Sequence, residues 1–248
     1  MKNQKMNKVA LVTGASKGIG KAIAKMLSGC GYRVFICARS KDDLQITASE
    51  IGAEGFYVVD LTDANACKSL IDYVVNVAGS IDILVNNAGA YVYSPVEKTN
   101  EIDIENLLNL NIRAVFLLTK YVVDNMKNNK WGRIINIGSI SGVVGEANAS
   151  LYSMTKSALT GFTKALALEL AENNITVNTI NPGWVETELA ENAVVDSNFS
   201  YQEEIDMIPQ KRFIQPDEIA YLVKYLVSEE AKGMTAQSIS LCAGLSAG

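Results

Sequence analysis

The sequence contains no histidine among its 248 residues. Ser-His-Asp and Cys-His nucleophilic catalysis are therefore excluded, as is any metal site built on imidazole, and no metal is expected. Any proton transfer must use Tyr, Lys, Asp, Glu or Cys. Cysteine is scarce too. Cys30, Cys37, Cys67 and Cys242 lie far apart with no CxxC pair, so free thiols in a cytoplasmic protein are expected. No apolar stretch approaches membrane-spanning length. The run Val9–Val12, behind the polar and basic Met1–Lys8, is far too short for a signal-peptide core. Positive charge is in deficit, with a net charge of −5. Bulk attraction to nucleic acid or an anionic membrane is not expected, although a local basic patch could still receive an acidic protein partner.

What is present suits one folded α/β domain spanning residues 1–248. Hydrophobic residues make up 48% and charged residues 20%, and there is no linker, repeat or low-complexity tract. Apolar, β-branched runs occur at Lys8–Thr13, Arg33–Cys37, Gly55–Val59, Ile81–Asn86, Gly132–Gly138, Thr176–Ile180 and Ser238–Cys242. They read as fully buried strands, as parallel sheets require. Helical patterns separate them, the clearest placing Leu159, Phe162, Leu166 and Leu170 on one stripe. This alternation predicts a doubly wound, Rossmann-like parallel sheet of about seven strands with helices on both faces. Two segments break the rhythm, Ala90–Asn100 and Thr187–Met207. Both belong at the C-terminal strand ends, where such sheets bind ligands, and the second is read as a substrate lid.

The first strand runs into a glycine-rich turn, Thr13-Gly14-Ala15-Ser16-Lys17-Gly18-Ile19-Gly20, followed by a helix. Glycines admit a tight turn and close approach to a phosphate, and the helix N-terminus adds free N–H groups. The GxxxGxG spacing differs from the GxGxxG fingerprint, and a bare structural turn would also use glycine. The second strand ends in Ala38-Arg39-Ser40, without the acid that would bind a ribose 2′-hydroxyl. Arg39, with Lys17 nearby, favours a 2′-phosphate and hence NADPH. Asp60 and Leu61 after the third strand are expected at the adenine. Asn87, Ala88 and Gly89 after the fourth are expected to line the cleft, or merely to end the strand.

Tyr152 and Lys156, at i and i+4 of a helical run, share a face. A lysine cation there should lower a phenol pKa that is ordinarily near ~10, making Tyr152 a usable general acid for a ketone under reduction. Ser139, after the fifth strand, can hydrogen-bond a carbonyl and stabilise developing charge. Asn111, a poor helix former inside a long helix, reads either as a bend or as a holder of water for proton relay.

TGASKGIG, NNAG, Asn111, Ser139, YSMTK and Asn181-Pro182-Gly183 stand in the order and spacing of short-chain dehydrogenases/reductases, which the whole chain resembles. That resemblance implies a catalytic tetrad of Asn111, Ser139, Tyr152 and Lys156. It implies that Tyr152 donates the proton, Ser139 orients the carbonyl, Lys156 holds the nicotinamide ribose and Asn111 anchors a water. It also implies cofactor contacts from Tyr152, Lys156, Pro182, Gly183, Val185 and Thr187, and a homotetramer built on helices Glu101–Asn128 and Ser150–Asn173. The stretches Arg33–Arg39, Gly161–Leu170, Trp184–Thr187, Gln215–Glu218 and Thr235–Leu245 resemble ketoreductases of type II aromatic polyketide synthases, whose substrate rides on an acyl carrier protein. The alternative is 3-oxoacyl-acyl-carrier-protein reductase of fatty acid synthesis. Ala90-Tyr91-Val92-Tyr93 replaces the Pro-Gly-Gly of the polyketide enzymes, and the lid looks shorter than theirs. A cofactor-binding protein without turnover is disfavoured, because all four tetrad positions are filled. Two further expectations concern the substrate. Tyr91, Tyr93, Trp184, Phe199 and Tyr201 should bound a broad aromatic pocket, and Lys127, Lys130 and Arg133 should form the patch that receives a carrier protein.

Overall fold

The structure is a computed structural model that describes residues 8–196 and 200–247. Seven strands form one parallel sheet in the order β3-β2-β1-β4-β5-β6-β7. They are β1 Val9–Thr13, β2 Arg33–Ala38, β3 Gly55–Val58, β4 Ile83–Asn86, β5 Gly132–Ile137, β6 Ile175–Pro182 and β7 Ser238–Leu241. Chain order reverses between β1 and β4, so their C-terminal ends open a crevice at the topological switch point. Every residue of β1, β4, β5 and β6 is buried, as continuous apolar runs in a covered sheet should be. The edge strands β3 and β7 are partly exposed, unlike the reading from their composition, because each has a neighbour on only one side.

Helices α1 Gly18–Gly29, α2 Lys41–Ile51, α3 Ala64–Ala78, α4 Glu101–Leu108, α5 Val115–Asn129 and α6 Ser150–Leu170 are the main connections. Later come α7 Glu188–Asp196, α8 Tyr201–Met207 and α9 Pro216–Leu226. Ile23 and Leu27 of α1, Leu44 of α2 and Val223 of α9 pack against one sheet face. Leu70 of α3, Leu118 and Val122 of α5, and Leu166 and Leu170 of α6 pack against the other. Leu159, Leu166 and Leu170 of the expected stripe are buried. The fourth member, Phe162, is half-buried and meets Phe116 with ring centroids 5.7 Å apart. Four free cysteines are present, three of them buried. Among the described residues no helix is long and apolar enough to cross a membrane.

Two expectations change here. The helix read as Glu101–Asn128 is interrupted by a π-helical segment, Asn109–Ala114, which contains Asn111. The patch Lys127, Lys130 and Arg133 does not face the crevice. It lies at the N-terminal end of β5, the opposite end of the sheet, and Arg133 is fully buried. The Arg133 guanidinium donates to the carbonyls of Gly132 (2.8 Å) and Asn174 (3.1 Å), reaches Glu229 at 3.4 Å and stacks 4.3 Å from the Trp131 ring centroid. It is a structural clamp. Arg133→Ala strands two carbonyls and opens a cavity, so it should cost about 3 kcal/mol in urea unfolding. A loss below about 1 kcal/mol would contradict the clamp.

Candidate active site

At the start of the crevice, Gly14 has φ +62°, and a Cβ there would lie 2.9 Å from Ala88 Cα. A Cβ on Gly20 would lie 2.4 Å from Gly14 O. Glycine is thus required by close backbone approach as well as by the turn. The loop after β4 braces this turn. Asn87 Nδ2 donates to the carbonyls of Thr13 (2.8 Å) and Gly14 (3.1 Å), while Thr13 Oγ1 accepts from the amides of Asn87 and Ala88 at 3.0 Å each. Helix α1 begins without a side-chain cap and without an acid in its first turn. By contrast α2 and α3 are capped by Ser40 and Asp63. Uncapped first-turn amides beside glycines suit the phosphates of a dinucleotide.

Gly14, Ser16, Lys17, Gly18, Ile19, Gly20, Arg39, Asp60, Leu61, Asn87, Ala88 and Gly89 all line one continuous cleft of about 1470 Å³. So do Ser139, Tyr152, Lys156, Pro182, Gly183, Val185 and Thr187. Arg39 is exposed at the end of β2, its guanidinium unpaired among the described residues. Asp60 is held below the usual carboxylate range, first by the Thr62 amide, with the Arg39 charge a lesser contribution. Lys17 is differently disposed from the expected second phosphate cation. It pairs with Glu188 of α7 at 2.6 Å and joins the glycine turn to the lid segment.

At the other end of the cleft, Tyr152 and Lys156 project from the first turns of α6 toward the end of β5. Gly142 permits this approach, since a Cβ there would lie 2.7 Å from Lys156 C. Lys156 Nζ donates to Ile137 O at 3.0 Å and sits 5.6 Å from the Tyr152 ring centroid. Burial pushes this lysine down to about 8. The Tyr152 phenol is pushed up to about 12 rather than lowered. Burial dominates, the Ser139 hydroxyl pulls the other way, and the Glu146 carboxylate raises it further. The expected lowering by Lys156 is therefore outweighed by burial.

Asn111 is 1% exposed and fully engaged. It accepts from Ala90 N (3.0 Å) and donates to Ala90 O (3.0 Å) and Thr155 Oγ1 (3.1 Å). Its Oδ1 and Lys156 Nζ approach the same point: a Cβ on Gly89 would lie 3.3 Å from each. Thr155, which ties Asn111 to α6, had no signal in the sequence beyond its place beside Lys156.

Tyr91, Tyr93 and Trp184 line the cleft beyond Tyr152. Tyr201 does not. It packs on Phe213 at 4.6 Å, as Trp184 does at 5.6 Å, and so joins the lid segment to the body. Phe199 lies outside the described residues. Sequence reasoning missed two carboxylates here, Glu146 and Glu204. Glu204 is 6% exposed, and its carboxyl is raised first by burial and then by Glu146. Nothing in the local pattern marks either, because each becomes part of the cleft only through loop and lid packing.

A switch-point cleft with a glycine-rich phosphate turn at one end and a Tyr-Lys pair at the other defines a dinucleotide-dependent oxidoreductase. The short chain dehydrogenase family matches residues 8–198, and the chain belongs to that family. It is 40% identical to a granaticin polyketide synthase putative ketoacyl reductase from Streptomyces violaceoruber, over 96% of this chain and 92% of the relative. It is 37% identical to 3-oxoacyl-acyl-carrier-protein reductase from Buchnera aphidicola, over 96% and 97%. Among solved structures it resembles a variant of actinorhodin polyketide ketoreductase crystallised with NADPH. The TM-score is 0.93 at 36% identity, covering 99% of this chain and 98% of that one.

Proposed function

We propose that this protein reduces a ketone of an acyl-carrier-protein-bound polyketide to an alcohol with NADPH. One observation carries the reading: a single cleft joins the exposed Arg39 and the glycine turn to Ser139, Tyr152 and Lys156. The nicotinamide supplies the hydride when bound. Arg39 meets the 2′-phosphate, and the uncapped start of α1 meets the pyrophosphate. Ser139 orients the carbonyl, and Tyr152 donates the proton to its oxygen. Lys156, held by Ile137 O, presents a cation to the ribose. The segment 187–207 acts as a lid, with Leu189, Ala193 and Glu204 facing the cleft. A homo-oligomer is supported by Ile102, Phe116 and Leu168, apolar residues exposed on α4, α5 and α6.

The polyketide substrate is favoured by Tyr91, Tyr93 and Trp184, which widen the cleft with flat rings. A fused-ring ketone such as a decalone should therefore show higher kcat/KM than a linear acetoacetyl thioester. Strong preference for the thioester would promote the second reading, 3-oxoacyl-acyl-carrier-protein reduction in fatty acid synthesis, which the Buchnera relative favours.

The pH dependence has a definite sign. Tyr152, pushed up to about 12, stays protonated and able to donate throughout the neutral range. Lys156 is cationic below about 8 and loses its charge above it. Ketone reduction should hold from neutral pH to about 8 and then fall as the lysine discharges. A kcat/KM profile for reduction that is flat to well above 9 would contradict this role of the lysine cation.

A further inference from the structure

Glu146 has no counterpart in the tetrad, yet its two carboxylate oxygens each hold a different wall of the reacting site. Oε1 accepts from Tyr91 Oη at 2.6 Å, and Oε2 accepts from Ser141 Oγ at 2.6 Å. Tyr91 comes from the loop after β4, and its ring stands edge-on to Tyr152 with centroids 4.9 Å apart. Ser141 comes from the turn after β5, and its Oγ lies 3.1 Å from Ser139 Oγ. One side chain thus reaches both the proton donor and its hydroxyl partner.

The hydrogens in this chain can be assigned by counting. A serine hydroxyl has one hydrogen, and a carboxylate only accepts. Ser141 spends its hydrogen on Glu146, so Ser139 must donate to Ser141. Ser139 Oγ also accepts from the Ser141 amide at 3.1 Å. The charge at the end of the chain therefore fixes its direction, from Ser139 through Ser141 to Glu146. Burial raises the Tyr152 phenol, its hydroxyl partner Ser139 lowers it, and Glu146 raises it again. When a ketone binds, Ser139 exchanges its bond to Ser141 for one to the carbonyl.

We infer that Glu146 is a positioning residue: through Tyr91 and Ser141 it orients Tyr152 and Ser139, and its negative charge holds the proton on Tyr152. The inference rests on Tyr152 being the proton donor. Other groups face the same space. Tyr93 stands beside Tyr91, Lys156 lies under the Tyr152 ring, and Glu204 of α8 faces Glu146 from the lid segment. Lys156 is the one cation in that set. Glu146 raises Tyr91, Tyr152 and Glu204 alike, as a single buried-side negative charge should.

The reverse reaction reads this directly, because alcohol oxidation by NADP⁺ needs Tyr152 to have lost its proton. Below about 8, where Lys156 keeps its charge, the oxidation rate rises with pH along a limb, in proportion to the phenolate fraction of Tyr152. Glu146→Gln removes the charge and keeps one acceptor oxygen; its NH₂ only donates, so one of Tyr91 and Ser141 must turn to accept. The variant should move the rising limb about one unit toward acid, a roughly tenfold gain in oxidation rate along it. Tyr91→Phe breaks one bond and keeps the charge, so its limb should stay with the wild type while kcat falls. Glu146→Ala is the second charge-removing variant, and it must move the limb in the same direction as Glu146→Gln. A Glu146→Gln limb coincident with wild type would overturn the inference, as would a Tyr91→Phe limb displaced equally far. Tyr152→Phe run alongside separates the two levels. Retained oxidation in Tyr152→Phe sinks the proton-donor assignment itself. An inactive Tyr152→Phe with an unmoved Glu146→Gln limb sinks only the role of Glu146.

Discussion

Tyr152→Phe should lower kcat for ketone reduction by about 10²–10⁴-fold while leaving cofactor affinity and thermal stability near wild type. The expectation follows from what the substitution removes. The phenylalanine ring keeps the edge-on contact with Tyr91 at 4.9 Å and the same place beside Lys156. Only the phenol hydroxyl is lost, and with it the proton that the proposed reaction delivers to the carbonyl oxygen. Turnover by the purified variant within a few-fold of wild type would remove Tyr152 from the chemistry. Cofactor binding, followed by quenching of nicotinamide fluorescence, should be unchanged, which separates a lost proton donor from a collapsed site.

Arg39→Asp should weaken NADPH binding by about 10²-fold and leave NADH within a few-fold. Arg39 is exposed at the end of β2 with no hydrogen-bond partner among the described residues, so its removal costs the fold little. A 2′-phosphate would lose its charge-assisted bonds and meet a carboxylate instead. Asp60 nearby, already ionised and partly stabilised by the Arg39 charge, would sharpen the repulsion. Lys17 would not compensate, because Glu188 holds it at 2.6 Å. Dissociation constants for both cofactors in both proteins decide the matter. Equal weakening of NADH and NADPH would mean that Arg39 shapes the pocket without reading the phosphate. Exposed charge contacts are screened, so the NADPH preference should also shrink with added salt.

Which features were readable from sequence follows from how local their causes are. The central strands were legible because continuous β-branched runs have no other stable home than a sheet covered on both faces. Boundaries fell within about two residues, as at Ile81–Asn86 against Ile83–Asn86. Edge exposure of β3 and β7 was not legible, because composition does not state which strand lacks a neighbour. The glycine turn was legible because Gly14 and Gly20 answer to backbone proximity set within one βα unit and its neighbour. Arg133 was misread as a surface charge. Its partners Asn174 and Glu229 are brought to it only by the tertiary fold. The tyrosine was placed correctly beside Lys156, but the direction of its titration was not foreseen. Spacing gives the lysine, whereas burial and the Glu146 charge come from packing. The same holds for Asn111, whose π-helical setting depends on the loop carrying Ala90.

The most direct test of the account mixes purified protein, a bicyclic ketone and NADPH carrying deuterium at the transferable position, and then analyses the alcohol by mass spectrometry. The alcohol should carry one deuterium on the carbinol carbon, form in step with cofactor oxidation, and form about 10²–10⁴-fold more slowly with Tyr152→Phe. NADPH bound tightly with no deuterium appearing in any alcohol would contradict it, and would make the cleft a cofactor-binding site without turnover.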